Sequence, residues 1–270
     1  MDGSDRGGDA LRNAVVGLVV PTLGTRPDFL IESLTSIRNA GEVFLVLVRP
    51  STCELSPEAR LLVDLEVDDP GHGLAAAINK GLRALPDDIS FVSWLGDDDR
   101  LTGASFRELV DIAEELGAAG VFGQCRYINA LGEELFVNRS GAWAVPLMLF
   151  GPQLIPQPGS LIRRSSLESI GFLDESLKWA FDLEMFLKLR KQSGGLRFVP
   201  ALVSEFRWHN DSLTVGSRRG SVEEASQVRR RHLPSGMRAL SFLWEPFVRN
   251  VILLAGSRVS KRFQRVVTDA

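Results

Sequence analysis

The chain has 270 residues, 44% hydrophobic and 24% charged, an ordinary globular composition with room for one large α/β domain plus extensions or for two small domains. Its net charge of −3 gives no case for nucleic acid, and its two distant cysteines, Cys53 and Cys125, support neither a disulfide framework nor a CxxC zinc site. The opening MDGSDRGGDALRNA lacks an apolar signal core, and no uncharged apolar run approaches the ~20 residues of a spanning helix, so the expectation is a cytoplasmic protein.

Residues 1–13 read as a disordered leader. Val15 to Val20 is a continuous apolar run, the pattern of a strand buried on both faces, and it stops at the turn-rich PTLGTRP. Leu30, Leu34 and Ile37 mark a helix ended by Gly41. A second buried strand spans Val43 to Val48, and a weaker one lies near Leu61 to Val67. The loop DDPGHG opens the helix LAAAINKGLRAL, and Ile89 to Leu95 is a strand feeding Asp97, Asp98 and Asp99. An amphipathic helix through Phe106, Leu109, Val110, Ala113 and Leu116 precedes a strand over Val121 to Ile128.

This alternation predicts an α/β fold with a mostly parallel open sheet and helices on both faces. Ligands of such sheets bind beyond the carboxyl ends of the strands, the edge that both PTLGTRP and GDDD occupy.

The second half is less regular. Residues 131–138 suggest a hairpin arm, and the prolines of IPQPGS exclude a helix interior. Ser165 to Ile170 reads as a short helix capped by Gly171, and Trp179 to Arg190 as a longer one. Leu196 to Val199 and Leu202 to Phe206 read as two short strands leading to Arg207-Trp208-His209.

Three adjacent aspartates repel unless a cation or a set of donors holds them. GDDD is therefore either a solvated turn or a site for Mg²⁺ or Mn²⁺, ions that favour oxygen ligands. Asp182 lies near the start of an apolar helix between Phe181 and Leu183. It suits the helix dipole there, and an apolar setting is also how a carboxylate becomes a general base. GHGLAA matches a dinucleotide fingerprint weakly, because it does not follow the first strand of the sheet. The P-loop, HExxH and GxSxG patterns do not occur.

Taken together, four segments resemble family 2 glycosyltransferases of the GT-A type over about Val15 to Thr214. VVGLVVPTLGTRPDFLIESLTSI resembles their opening strand, loop and helix, and FVSWLGDDDRL their metal-binding segment. IPQPGSLIRRSSLESIGFLDESLKWAFDLEMFLKL resembles the acceptor-side region ending in the helix of the catalytic base, and VSEFRWHNDSLT the later strand with its ligand histidine. The resemblance implies a GT-A-like fold over 14–215, followed by a basic, helical C-terminal extension over 216–270.

It further implies an inverting transfer of a sugar from a nucleoside-diphosphate donor, UDP- or dTDP-linked, to a glycan or lipid-linked acceptor. Asp182 would be the base. Asp97, Asp99 and His209 would hold Mn²⁺ or Mg²⁺. Pro21, Thr22, Arg26, Asp69, Asn79, Asp97 and Asp98 would line the nucleotide-sugar pocket. The chain departs from the family where its second strand ends in Arg49-Pro50-Ser51 rather than an acidic turn, and where Gly96 stands for the first aspartate of the metal segment. The alternative is a catalytically inactive nucleotide-sugar-binding module or scaffold of a glycan-assembly complex.

From Arg218 to Arg265 there are eleven Lys or Arg against three Glu. Leu240, Leu243, Trp244, Phe247, Val251 and Leu254 recur there at helical spacing, with Pro246 expected to kink or split the helix. This segment is either a helix packed on the domain or a peripheral contact, through residues 229–265, with the inner face of a membrane.

Overall fold

The computed structural model describes residues 15–103, 106–208, 218–250 and 253–254. The apolar runs become β1 (Val16–Pro21), β2 (Phe44–Arg49) and β4 (Phe91–Trp94), with β3 (Leu65–Asp68) outside β2. All four are parallel, in the order β3-β2-β1-β4. Their connections supply helices α1 (Pro27–Ala40), α2 (Pro57–Leu61) and α3 (Leu74–Arg83). The weak strand signal near Leu61 to Val67 resolves into the short α2, capped by Ser56 accepting from Ala59 N–H, and then β3.

Beyond β4 the sheet turns mixed. The further elements are β5 (Arg100–Leu101), α4 (Phe106–Glu115), β6 (Gly120–Ile128), β7 (Glu134–Asn138), α5 (Ala144–Leu147), β8 (Leu161–Arg163), α6 (Arg164–Ser169), α7 (Phe181–Leu189) and β9 (Leu196–Arg207). The strand β8 is antiparallel to both β4 and β6, β9 is parallel to β6, β5 closes antiparallel on β9, and β7 folds back on β6 as the predicted hairpin arm. Where two short strands were expected, β9 is one twelve-residue strand. Pro200 has no N–H to give, and the β6–β9 register shifts on either side of Gln124 accommodate it.

Helices cover both faces, as the pattern predicts. Leu18 and Val20 pack with Leu34 of α1 and Leu109 of α4, while Val19 packs on the other face with Ile78 of α3 and Phe186 of α7. At Gly81 the fit of α3 is too close for a side chain, since a Cβ would lie 2.5 Å from Val19 Cγ1.

The C-terminal part begins with α8 (Arg218–His232), followed by α9 (Ser235–Leu240), a 3₁₀ turn (Ser241–Leu243) and helical residues 245–250. The helix is thus broken just ahead of Pro246. Val228 and Leu233 are buried in the cluster that contains α3 and α7, each such side chain contributing ~1.5–3 kcal/mol. Farther on, Leu240, Phe242, Leu243 and Phe247 are exposed. Among the described residues no helix is long and apolar enough to cross a membrane.

Candidate active site

The carboxyl ends of β1 and β4 lie side by side and bring the first loop to the aspartate turn. Thr22, just past β1, donates its hydroxyl to Asp97 Oδ2 at 2.6 Å. Its amide is fixed by Val48 of β2 and its oxygen accepts Gly24 N–H, so the rotamer is held from both sides. From the foot of α1, Arg26 reaches across with one nitrogen to Asp97 Oδ1 at 2.8 Å and another to Asp98 Oδ2 at 2.9 Å. The turn itself closes through Asp99 N–H to Gly96 C=O. Gly96 is required by space, because a Cβ there would sit 2.8 Å from Asp98 Oδ1 and 3.0 Å from Asp99 Oδ2.

Asp99 is the deepest of the three. Its Oδ1 accepts the backbone N–H of Arg207 at 2.9 Å, across the β5–β9 pairing. Burial first, and then the neighbouring Asp98, hold its carboxyl well above the usual carboxylate range. Burial also raises Asp97, against the pull of Thr22 and Arg26.

Arg207, 1% exposed, binds this end of the sheet together. Its guanidinium donates to Asp98 C=O and Ala130 C=O, each at 2.9 Å, and to Glu32 Oε2 at 2.5 Å, while lying 4.2 Å over the ring of Phe29. Neither Arg207 nor Glu32 stood out in the sequence. A strand ending in Phe-Arg-Trp carries no mark of a buried cation, and its partner is 175 residues away.

Asp182 occupies a different environment. It is the second residue of α7 and half-buried, with Oδ2 accepting Gln153 Nε2 at 2.8 Å and Oδ1 accepting Leu183 N–H at 2.7 Å. Burial outweighs these bonds and pushes its carboxyl up to about 6. The phenol of Tyr127, on β6, is raised first by desolvation and further by the charges of Cys125, Asp99 and Asp182.

The structure thus gathers Pro21, Thr22, Arg26, Asp97, Asp98 and Asp99 at one edge of the sheet. Asp69 follows β3 at the same edge, where its carboxylate closes its own turn by accepting Gly71 N–H. Asn79 is fully buried, and its amide donates to Leu173 C=O and Glu175 and accepts Leu173 N–H, so its polar atoms clasp the loop at Leu173. Arg49, at the departure from an acidic turn, is bound by Glu66 at 2.6 Å. His209 lies outside the described residues.

Residues 66–171 match the family model described as Glycosyl transferase family 2. Among solved structures, the fold is similar to S. aureus TarS 1–349 in complex with UDP-GlcNAc, with TM-score 0.60 and 16% identity over 80% of this chain and 65% of that one. It is similar to TarS 1–349 alone (0.57, 13%, over 83% and 68%) and to a longer S. aureus TarS structure (0.55, 15%, over 84% and 44%). The fold is that of these glycosyltransferase structures, and residues 66–171 carry the likeness to family 2. No curated protein matches the chain. The chain spans about two thirds of TarS 1–349 and less than half of the longer structure. Within this glycosyltransferase fold the matched segment contains the aspartate turn, whereas Thr22, Asp182 and Arg207 fall outside it and stand on the geometry alone.

The residues present were tested for their fit to a divalent cation. Asp97 already has one oxygen on Thr22 and the other on Arg26. Asp99 fits: a buried carboxylate crowded by two others ionises only beside a cation, and a divalent ion supplies one. Among the described residues no three His, Cys, Asp or Glu are grouped to ligate one ion.

Proposed function

We propose that this chain is an inverting glycosyltransferase that moves a sugar from a UDP- or dTDP-linked donor to a hydroxyl of a glycan or lipid-linked acceptor, with Asp182 as base. The observation that carries this reading is the pair of unlike acidic centres in one fold, a donor-held aspartate cluster and a half-buried aspartate whose carboxyl is pushed up to about 6. That S. aureus TarS binds UDP-GlcNAc in a similar fold supports a nucleotide-sugar donor.

The chemistry follows from these residues. The acceptor oxygen attacks the anomeric carbon while the bond from that carbon to the diphosphate oxygen breaks, and the nucleoside diphosphate leaves with the electron pair. Asp182 takes the acceptor's proton, and a carboxyl titrating near 6 is ionised at neutral pH yet basic enough to accept it. Thr22 and Arg26 fix Asp97 and Asp98 in place, which preorganises the nucleotide side. A divalent ion held by Asp99, with His209 as a further ligand, would offset the charge gathering on the diphosphate. The inactive-module alternative needs no base. Asp182→Asn abolishing transfer, while calorimetry with a nucleoside diphosphate and Mn²⁺ still shows binding, separates the two readings, and full activity in that variant refutes Asp182 as base.

The exposed Leu240, Phe242, Leu243 and Phe247, with Arg238 and Arg249 nearby in sequence, support a peripheral contact with an anionic membrane, where a lipid-linked acceptor would be met. Sedimentation with anionic vesicles at low salt and release at high salt is the expected result. Equal sedimentation with neutral vesicles, or none with either, returns these residues to a packing role.

A further inference from the structure

The helix that carries Asp182 is entered through a turn whose amide groups have no helical partner of their own. Lys178, Trp179 and Ala180 each direct a backbone N–H at one side chain, the carboxylate of Glu224 on α8. Oε1 accepts Lys178 N–H at 2.9 Å, and Oε2 accepts Trp179 N–H at 2.6 Å and Ala180 N–H at 2.7 Å. Three amide donors on one carboxylate make a tight clamp, because each bond is charge-assisted. The contact joins residues 44 to 46 positions apart, from a segment beyond the family match and distant in sequence from the aspartate turn. The far end of α8 is tied to the same helix, with His232 3.8 Å from Glu184 and 3.4 Å from Lys191, and Val228 buried between.

We propose that Glu224 is a positioning residue for Asp182, holding the turn 178–180 and setting both the orientation and the electrostatic surroundings of the base. This rests on the reading of Asp182 as the base. The physical reason is a division of donors and a charge. Asp182 keeps a first-turn amide of its own helix, Leu183 N–H, as an aspartate there ordinarily does. Glu224 takes the three amides of the turn that precedes the helix, and its own negative charge disfavours ionisation of Asp182. The other groups facing Asp182 are Gln153 from the loop before β8, its own backbone and Leu183 N–H, and Tyr127 from β6. On the same helix, Glu184 is engaged by Lys188 at 2.9 Å and by His232. Glu224 is thus a carboxylate whose charge acts on the protonation of the base, and it is also the group that fixes the entry to the base helix.

The test is the pH profile of kcat at saturating donor, acceptor and Mn²⁺, where the acidic limb reports the base in the bound complex. Glu224→Gln is expected to move that limb ~0.5 pH unit lower, because an anion that holds Asp182 protonated is gone. It should also lower the plateau ~10-fold, because an amide nitrogen now faces an amide donor and the turn loosens. Glu224→Asp keeps the charge but draws the carboxylate back, so it should lose several-fold in plateau with the limb close to wild type. Glu223→Gln, which removes an exposed neighbouring carboxylate paired with Arg249 at 2.6 Å, should leave both unchanged. A folded Glu224→Gln protein with an unmoved limb overturns the proposal. If that variant does not fold, wild-type plateau and limb in Glu224→Asp overturn it instead. Full turnover in Asp182→Asn would refute the base itself, so the two failures are distinguishable.

Discussion

Asp99 and Asp182 both have raised proton affinity, yet their neighbourhoods are opposites. Asp99 is buried in a crowd of charge, beside Asp98 and Asp97, with Arg26 and Arg207 closing around the turn. Asp182 is half-buried, flanked along α7 by Phe181 and Leu183, and its carboxylate has only neutral donors, Gln153 Nε2 and Leu183 N–H, with Glu224 the one anion acting on it. Crowded carboxylates favour a cation beside them, whereas a desolvated one favours a proton. The same residue type acquires two characters from what surrounds it.

The sharpest way to break this contrast is to remove the desolvated carboxylate's proton affinity while keeping its shape. Asp182→Asn should cost ~10²–10⁴-fold in turnover with donor affinity nearly unchanged, read by product formation and calorimetry side by side. A base at Glu184 or Asp174 would show instead as a variant that keeps more than half of its activity.

Next in size is the charged centre's anchor. Arg207→Leu leaves the carbonyls of Asp98 and Ala130 without this donor and takes one of two arginines from the half-exposed Glu32, and each buried acceptor left unsatisfied costs ~1–3 kcal/mol. Chemical denaturation measures it, and a loss below 1 kcal/mol would show that the network is dispensable.

Asp182→Asn also carries a stability prediction of opposite sign to its effect on rate. The folded carboxyl titrates at about 6 against an ordinary value of 3.8, so the native state binds the proton more tightly than the unfolded chain. Its contribution is fully present below pH 4 and is lost as pH rises through 6, a difference of about two units or ~3 kcal/mol at most. The asparagine variant should therefore melt higher than wild type at pH 7.5, with the gain vanishing by pH 4. A gain that persists at pH 4 would place its origin outside this ionisation.

The smallest effect expected is on metal dependence. Asp99→Ala should abolish the Mn²⁺-dependent part of nucleoside-diphosphate binding and leave the metal-free part intact. Wild-type affinity that is indifferent to chelator would remove the metal from the scheme.

How much of this was legible in the sequence follows the range of the forces involved. VVGLVV and VFLVLV announce doubly buried strands because continuous apolar runs have few other uses, and helix α1 ends at Gly41 as read. GDDD announced itself by repulsion. What stayed hidden depended on partners far along the chain. Asn79 reads like any polar helix residue until Leu173 and Glu175 arrive beside it. Glu224, one of three acids in a basic segment, gives no hint that it caps a turn 44 to 46 residues earlier. The three-residue β8 and two-residue β5 were too short to carry a period, though β8 inserts between β4 and β6 and reverses the sheet. Pro200 suggested a break where a bulge keeps one strand whole.

The bond from Arg207 N–H to Asp99 spans 108 residues, and this sets the order in which the molecule can mature. As the chain leaves the ribosome, Thr22, Arg26 and the three aspartates emerge early. Their strands can pair while Asp99 still lacks its amide donor and the turn lacks its guanidinium. Only when residue 207 has emerged can β9 add to the sheet and draw Asp99 inward. Long-range closure of this kind is slow compared with helix formation. The aspartate turn is therefore completed late in the nascent chain, after most of the secondary structure around it.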